Sequence, residues 1–200
     1  MGLWCNSDGM VITGATGAIG KEIVKAFGAT PYDPRKDEWP GCAILINCMG
    51  INYDSSFHDA DPDNWNDVIW TNLLDVAEVM RKALPEMRER KYGRIINLSS
   101  VVSSMGVRGT SAYAASKAGL NGMIKSIAIE NARHNVLINN LNLGYFDLGM
   151  THKIKNYEKI KESIPVLEFG NVGEIISAIH FLVRSNYITG TTIDINGGLW

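Results

Sequence analysis

Tyr113 and Lys117 stand four residues apart, so on a helix their side chains leave the same face. An ammonium beside a phenol favours the phenolate and lowers the tyrosine pKa, which converts an inert hydroxyl into a general acid or base. Taken alone, the pair reads more simply as a solvated helix face. Ser100 adds a third group. Twelve residues separate it from Tyr113, and it follows the apolar run Arg94-Ile95-Ile96-Asn97-Leu98, at the carboxyl end where open α/β sheets place their sites. Small residues surround Tyr113, from Ser111 and Ala112 to Ala118 and Gly119, so a cofactor or another subunit could pack closely there. Near the N-terminus, Gly14-Ala15-Thr16-Gly17-Ala18-Ile19-Gly20 joins an apolar run to a helical pattern. A glycine turn in that place lets backbone N–H groups approach a pyrophosphate at the positive helix end, although glycines there also serve tight packing.

These groups need a scaffold that brings strand ends together. Met10–Thr13 reads as a strand, followed by a helix through Ile19, Ile23, Val24 and Phe27. Pro31, Pro34, Pro40 and Gly41 make 28–42 mostly loop, with room for one brief strand. Ala43–Asn47 reads as a buried strand. Apolar residues from Trp65 to Met87 keep helical spacing, which predicts a long helix with a kink at Pro85. Further elements are a strand at 94–98, a helix over 112–132 and a strand over 135–143. Asn171 with Glu174 resembles a capping box for a helix to Val183, and 191–195 is the last strand. Alternating strands and helices, with nearly continuous apolar strands, predict one α/β domain over 1–200 with a doubly wound parallel sheet.

Composition bounds the rest. The chain has 200 residues, 46% of them apolar and 20% charged, enough to bury a core without staples. Nineteen Lys and Arg against 21 Asp and Glu provide no field for nucleic acid. Cys5, Cys42 and Cys48 form no CxxC pair, and His58, His134, His152 and His180 are scattered, so no metal site is expected. No signal-peptide core or membrane-length apolar run is visible, and a cytoplasmic protein is expected.

With these residues in place, the chain resembles the short-chain dehydrogenase/reductase family from about Met10 to Gly198. The likeness is carried by Thr13–Gly20, Asn47-Cys48-Met49-Gly50, Thr71-Asn72-Leu73, Gly93–Ser100, Tyr113–Gly119, Thr189-Gly190 and Asn196-Gly197-Gly198. The resemblance implies a Rossmann-like fold and a catalytic set of Asn72, Ser100, Tyr113 and Lys117. Tyr113 would protonate the substrate oxygen, and Ser100 would hydrogen-bond it. Lys117 would tune Tyr113 and hold the nicotinamide ribose, and Asn72 would position a water. It also implies NADP or NAD, held by Gly14, Thr16, Gly17, Ala18, Ile19, Gly20, Asn47, Gly50, Tyr113, Lys117 and Gly144. Ser99, Ser103 and Ser104 read as ordinary loop hydroxyls, Cys48 as a buried filler and His180 as a surface or packing residue.

The sequence also departs from that family. Only residues 21–46 lie between Gly20 and Asn47, where the family places two further strands and two helices; the stretch is too short for both. Ala29–Asp33 is at best a remnant of one, so the fold is truncated on the adenine side. Asp33 is placed to read a ribose 2′-hydroxyl, whereas Arg35 and Lys36 would suit a 2′-phosphate; a loop with no cofactor contact is the simpler alternative. Ala18, Leu143 and Asn196 replace a glycine, a proline and an aspartate usual in the family.

The expected activity is hydride transfer between a nicotinamide and a carbonyl/alcohol pair, with a 3-oxoacyl thioester as one candidate substrate. The alternative is a non-catalytic dinucleotide-binding or assembly subunit. A sugar-nucleotide epimerase is disfavoured by the short region after Gly144. Lys153, Lys155, Lys159 and Lys161 suit either an anionic substrate or a solvated helix whose apolar side is Ile154, Tyr157, Ile160 and Ile164. A homodimer or homotetramer is expected through the helices at 65–90 and 112–132, where Leu120, Met123, Ile124, Ile127 and Ile129 suggest burial on two sides.

Overall fold

A computed structural model describes residues 9–148 and 156–200. Six parallel strands form the main sheet: β1 (Met10–Thr13), β2 (Thr30–Tyr32), β3 (Ile44–Asn47), β4 (Gly93–Ser100), β5 (Val136–Leu143) and, at the far edge, Thr192–Ile195, here β8. Their order is β2-β1-β3-β4-β5-β8. A small second ladder pairs β6 (Phe146–Asp147) with β7 (Gly170–Asn171). Parallel neighbours require crossover connections, and helices supply them. These are α1 (Ala18–Phe27), α2 (Pro62–Ile69), α3 (Asp75–Glu89), α4 (Ser111–Asn131), α5 (Tyr157–Ser163) and α6 (Val172–Arg184).

Side-chain alternation along each strand divides the core into two layers. Val11, Leu45, Ile95 and Ile138 face α3 and α4, meeting Val76, Met80, Leu120 and Ile124. Ile12, Ile46, Ile96 and Leu141 face α1 and α6, meeting Ile23, Ile175 and Ile179. This is the doubly wound parallel sheet read from the sequence. β2 leaves β1 on one side and β3 pairs with it on the other, so the chain reverses direction between β1 and β3. A crevice opens at the carboxyl ends of strands at such a reversal.

The truncation takes a definite form. Between Gly20 and Asn47 there is one strand besides β3, the three residues of β2, and it is the edge of the sheet. The loop after it folds inward, with Trp39 set edge-on against Tyr32 at 5.1 Å. Trp39 thereby caps the α3 side of the core where a further helix would otherwise lie.

The long helix departs from expectation. It starts at Pro62, where Asp61 caps it by accepting from the N–H groups of Asp63 and Asn64, both at 3.0 Å. The interruption is a π turn at Trp70–Leu74, not a break at Pro85, which sits inside α3. An extra residue in one turn widens the helix and re-aims its side chains, and here it carries Asn72 inward to full burial. At α6 the expected cap is present, with Asn171 Oδ1 accepting from Gly173 N at 2.7 Å.

One polar row crosses the α3/α4 face. Thr13, Asn47, Asn97, Asn140 and Thr192 are register partners on five adjacent strands. Thr13 Oγ1 donates to Asn47 Oδ1 at 3.2 Å, Asn47 Nδ2 to Asn97 Oδ1 at 2.8 Å and Asn97 Nδ2 to Asn140 Oδ1 at 2.9 Å. A buried amide left unpaired costs about 1–3 kcal/mol. A slip of two residues would set each of these side chains against Val11, Leu45, Ile95 or Ile138, so the ladder holds the strands in one register.

Candidate active site

The first part of the site grows from the turn after β1. Gly14 has φ +68°, and a Cβ on it would lie 2.6 Å from Met49 N, so the turns after β1 and β3 touch backbone to backbone. Gly20 is tighter still: its Cβ would lie 2.2 Å from Gly14 O. The cap of α1, Gly17, offers no side-chain acceptor, and Thr16, Gly17 and Ala18 are exposed. The first N–H groups of α1 therefore remain open at the positive end of its dipole, which fits a pyrophosphate. Gly20→Ala is expected to displace this turn, lowering Tm by several degrees and weakening dinucleotide binding more than tenfold; thermal melts and a cofactor titration check both.

A cleft of about 380 Å3 continues from Gly14, Ala15 and Thr16 to the loop after β2 and across to Thr71 and Asp75. Asp33 lies there with its carboxyl held below the ordinary carboxylate range, first by the N–H of Arg35 and then by Lys36. Arg35 reaches over the cleft, donating to Thr71 Oγ1 at 3.0 Å and pairing with Asp75 Oδ2 at 2.6 Å. Where a further strand and helix would have walled the adenine side, one guanidinium spans from the edge-strand loop to the long helix.

The second part lies at the end of β4. Ser100 closes the strand and its Oγ accepts from Val102 N at 3.4 Å. On α4, Tyr113 is half-buried and Lys117 is buried, its ammonium donating to Leu98 O at 2.8 Å. Lys117 Nζ stands 5.6 Å from the centre of the Tyr113 ring. The structure thus brings Ser100, Tyr113 and Lys117 together. Burial pushes Lys117 down to about 8, opposed by the neighbouring Cys48. It pushes the Tyr113 phenol up, while a hydrogen bond with Ser100 pulls it back. The sequence-based expectation that the ammonium lowers Tyr113 is not met in the chain alone: burial, which disfavours the phenolate, is the largest influence, and the lowering comes from Ser100.

Asn72 completes the arrangement from the π turn. Its Oδ1 accepts from Ile51 N at 2.8 Å, and its Nδ2 donates to Ile51 O at 2.9 Å and to Ser116 Oγ at 3.2 Å. Gly50 keeps clear the space between them: a Cβ there would lie 3.4 Å from Asn72 Oδ1 and 3.6 Å from Lys117 Nζ. Burial pushes the Cys48 thiol up to about 12, so it is protonated and a filler rather than a nucleophile.

The other residues read from the sequence take up varied surroundings. The Asn47 side chain is buried in the polar ladder between Thr13 and Asn97. Gly144 lies at the end of β5 against the final turn, where a Cβ would come 2.7 Å from Asn196 Cα. Ile19 is half-buried against the α6 face of the core. His180 packs its ring on Phe27 at 4.5 Å. Lys153, Ile154 and Lys155 lie outside the described residues. Tyr157 on α5 stacks on Phe169 at 4.9 Å, and Ile164 beyond it is buried with Val101 and Leu199. Ser103, read as a loop hydroxyl, is a bridging residue: it accepts from Asn121 and donates to Asn142. The signal for these amides was three asparagines (Asn139, Asn140 and Asn142) inside an otherwise apolar strand. Among the described residues, no group of three or more His, Cys, Asp or Glu could hold a metal, and no helix is long and apolar enough to cross a membrane.

A glycine turn at a sheet reversal, with a serine, tyrosine and lysine converging at the neighbouring strand end, defines a dinucleotide-dependent oxidoreductase. Known proteins agree. A family model described as enoyl-(acyl carrier protein) reductase matches residues 31–200. Nodulation protein G of Rhizobium meliloti (strain 1021) is 40% identical over 184 residues, covering 90% of this chain and 73% of that protein. A 3-oxoacyl-(acyl-carrier-protein) reductase of Vibrio harveyi is 37% identical over 168 residues, covering 82% of this chain and 69% of the relative. A crystal structure from Agrobacterium tumefaciens, of a protein assigned as a gluconate dehydrogenase, superposes with TM-score 0.86 at 21% identity, over 97% of this chain and 96% of that one. The chain belongs to the short-chain dehydrogenase/reductase family, and it is an oxidoreductase that works with a nicotinamide cofactor.

Proposed function

We propose that the chain reduces the keto group of a 3-oxoacyl thioester with NADPH. The convergence of Ser100, Tyr113 and Lys117 at the carboxyl end of β4 carries this reading. The thioester is suggested by the 3-oxoacyl reductase among the relatives. A nicotinamide held here would supply hydride to the carbonyl carbon, and the protein's task is to hold and protonate the oxygen. Ser100 Oγ hydrogen-bonds that oxygen and stabilises its developing charge. Because burial raises its pKa, Tyr113 is a protonated phenol at neutral pH, which suits an acid in the direction of reduction. Its Oη gives a proton to the oxygen. Lys117 offers its remaining N–H groups to the ribose and stabilises the phenolate left behind. The phenolate is then reprotonated from the side of Lys117, in the space that Asn72 and Gly50 border.

The preference for NADPH rests on the loop after β2. Asp33 already accepts from Arg35 N and Lys36 Nζ, which reduces its capacity for ribose hydroxyls, and two cations stand beside the cleft. The protein acts in the cytoplasm as a homodimer or homotetramer. Leu120 and Ile124 are used in the chain's own core, so the pairing face is instead the exposed Trp70 and Leu74 together with Met123, Ile127 and Ile129.

Loss of nicotinamide absorbance on mixing with acetoacetyl thioester tests the proposal. Turnover with NADPH at least about tenfold better than with NADH is expected. No binding of either nucleotide at millimolar concentration would overturn it and leave the assembly-subunit reading, which the missing outer strand favours.

A further inference from the structure

Asn121 plays no part in the chemistry above, yet its side chain joins three elements. It lies one turn past Lys117 and two past Tyr113, on the stripe of α4 that faces the sheet. Its Oδ1 accepts from Asn140 Nδ2 on β5 at 2.7 Å and from Thr192 Oγ1 on β8 at 3.5 Å. Its Nδ2 donates at 2.9 Å to Ser103 Oγ, in the turn that Ser100 caps. Ser103 Oγ donates onward to Asn142 Oδ1 at 3.2 Å, and Asn142 donates to the Asp194 carboxylate. With Asn97 donating into Asn140, every donor points the same way, from Thr13 beside the glycine turn to Asp194. Hydrogen bonds aligned in series polarise one another, and a chain ending on an anion fixes the direction of each link. Rotating the Asn121 amide by half a turn would set its NH2 against the NH2 of Asn140.

We propose that Asn121 is a positioning residue: through Asn140 and Ser103 it locks α4 to the sheet and to the Ser100 turn together, so that Tyr113 Oη is held at Ser100. The proposal rests on Tyr113 being the acid. The residues flanking Tyr113 are too small to interlock with the sheet, and Leu120 and Ile124 further along give apolar contact that has no preferred direction. Directional anchoring of α4 to the sheet and its strand ends near the site falls to Lys117 on Leu98 O, Ser99 Oγ on Lys117 O at 3.5 Å, and Asn121. Of these, Asn121 alone reaches the turn that carries Ser100. A displacement of about 1 Å between acid and substrate costs on the order of 100-fold in rate.

The test uses the full chain with three variants, Asn121→Leu, Asn121→Asp and Ser103→Ala, and two readouts. The first is the pH titration of Tyr113 without cofactor, followed by NMR with tyrosine labelled at the phenolic carbon; Tyr113→Phe identifies the signal. The second is kcat against cofactor Kd. Asn121→Leu is expected to raise the Tyr113 midpoint by about one pH unit, because the Ser100 hydrogen bond loosens. It should lower kcat by about 10- to 100-fold with Kd within about threefold. Asn121→Asp keeps an acceptor for Asn140 and takes the Ser103 proton, so it should stay within about fivefold of the parent. A Leu variant with parental kcat and midpoint, or an Asp variant as impaired as Leu, overturns the proposal. If the Leu variant does not fold, Ser103→Ala decides, with several-fold lower kcat and an upward midpoint expected and no change in either refuting it. If the parent chain turns over no carbonyl, the cofactor-free titration still reads the positioning, so the two ideas fail separately.

Discussion

Replacing Lys117 with methionine should make the protein more stable and inactive in one step. The ammonium is buried, and burial brings its pKa from an ordinary 10.5 to about 8. Below pH 8 the lysine is charged in both folded and unfolded chains, and the folded state bears the whole cost of desolvation. Between pH 8 and 10.5 the unfolded chain binds the extra proton, so stability rises with pH across that window and levels off above it. The displacement corresponds to about 3 kcal/mol. Methionine of similar volume removes the cost and forfeits the bond to Leu98 O, worth about 1 kcal/mol, for a net gain of about 2 kcal/mol. For a chain of this length that is a rise in Tm of about 5 °C at pH 7, turning into a fall of about 3 °C by pH 11, where only the lost bond to Leu98 O remains. Turnover should fall at least about 1,000-fold, since the phenolate loses its counter-charge and the ribose its donor. Thermal melts at pH 7 and pH 11 beside a turnover assay measure both. A variant that melts below the parent at pH 7 would show that Lys117 contributes to the fold rather than opposing it.

Such a residue is also where local sequence reasoning has most and least reach. The spacing of Tyr113 and Lys117 is a property of one helix turn, and the glycine turn is a property of one strand–helix junction, so both are legible without knowing what surrounds them. The shortened adenine side was equally readable, because residues 21–46 cannot hold two extra strands whatever their identity, and β2 is the one strand found. The sign of the Tyr113 perturbation was not readable. It depends on how deeply the phenol is buried, which long-range packing decides, and burial is the largest influence on it. The asparagine ladder was hidden for a related reason. Each member looks like a lone polar residue in an apolar strand, and its partner lies 34, 50 or 43 residues away. Only the register of the parallel sheet brings them together. Pro85 attracted attention as a helix breaker, yet the irregular turn is at Trp70–Leu74, where Asn72 must reach inward to bind the Ile51 backbone. Arg35 reads from the sequence as suited to a 2′-phosphate; its pairing with Thr71 and Asp75 is a contact across the crevice that chain order does not announce.

Tyr113→Phe is expected to abolish reduction while leaving the fold and the cofactor site in place. The ring is half-buried, and phenylalanine preserves its packing, so Tm should move by no more than a few degrees. The open N-terminus of α1 and the ammonium of Lys117 remain, so cofactor Kd should stay within about threefold. Loss of the proton donor removes a step worth about 100- to 10,000-fold, and kcat should fall by that amount with KM little changed, the signature of an interaction made in the transition state. The pH profile separates this acid from its neighbour. Tyr113 is held above its ordinary 10.0 and stays protonated through pH 9, whereas Lys117 loses its proton near pH 8. The parent's kcat for reduction should therefore hold below pH 8 and decline above it, following the lysine and not the tyrosine. In Tyr113→Phe the residual rate should lose that inflection, because no phenolate remains for the ammonium to stabilise. A variant that keeps the parental rate would remove Tyr113 from the reaction, and a parental profile flat through pH 9 would remove the account of Lys117 as its partner.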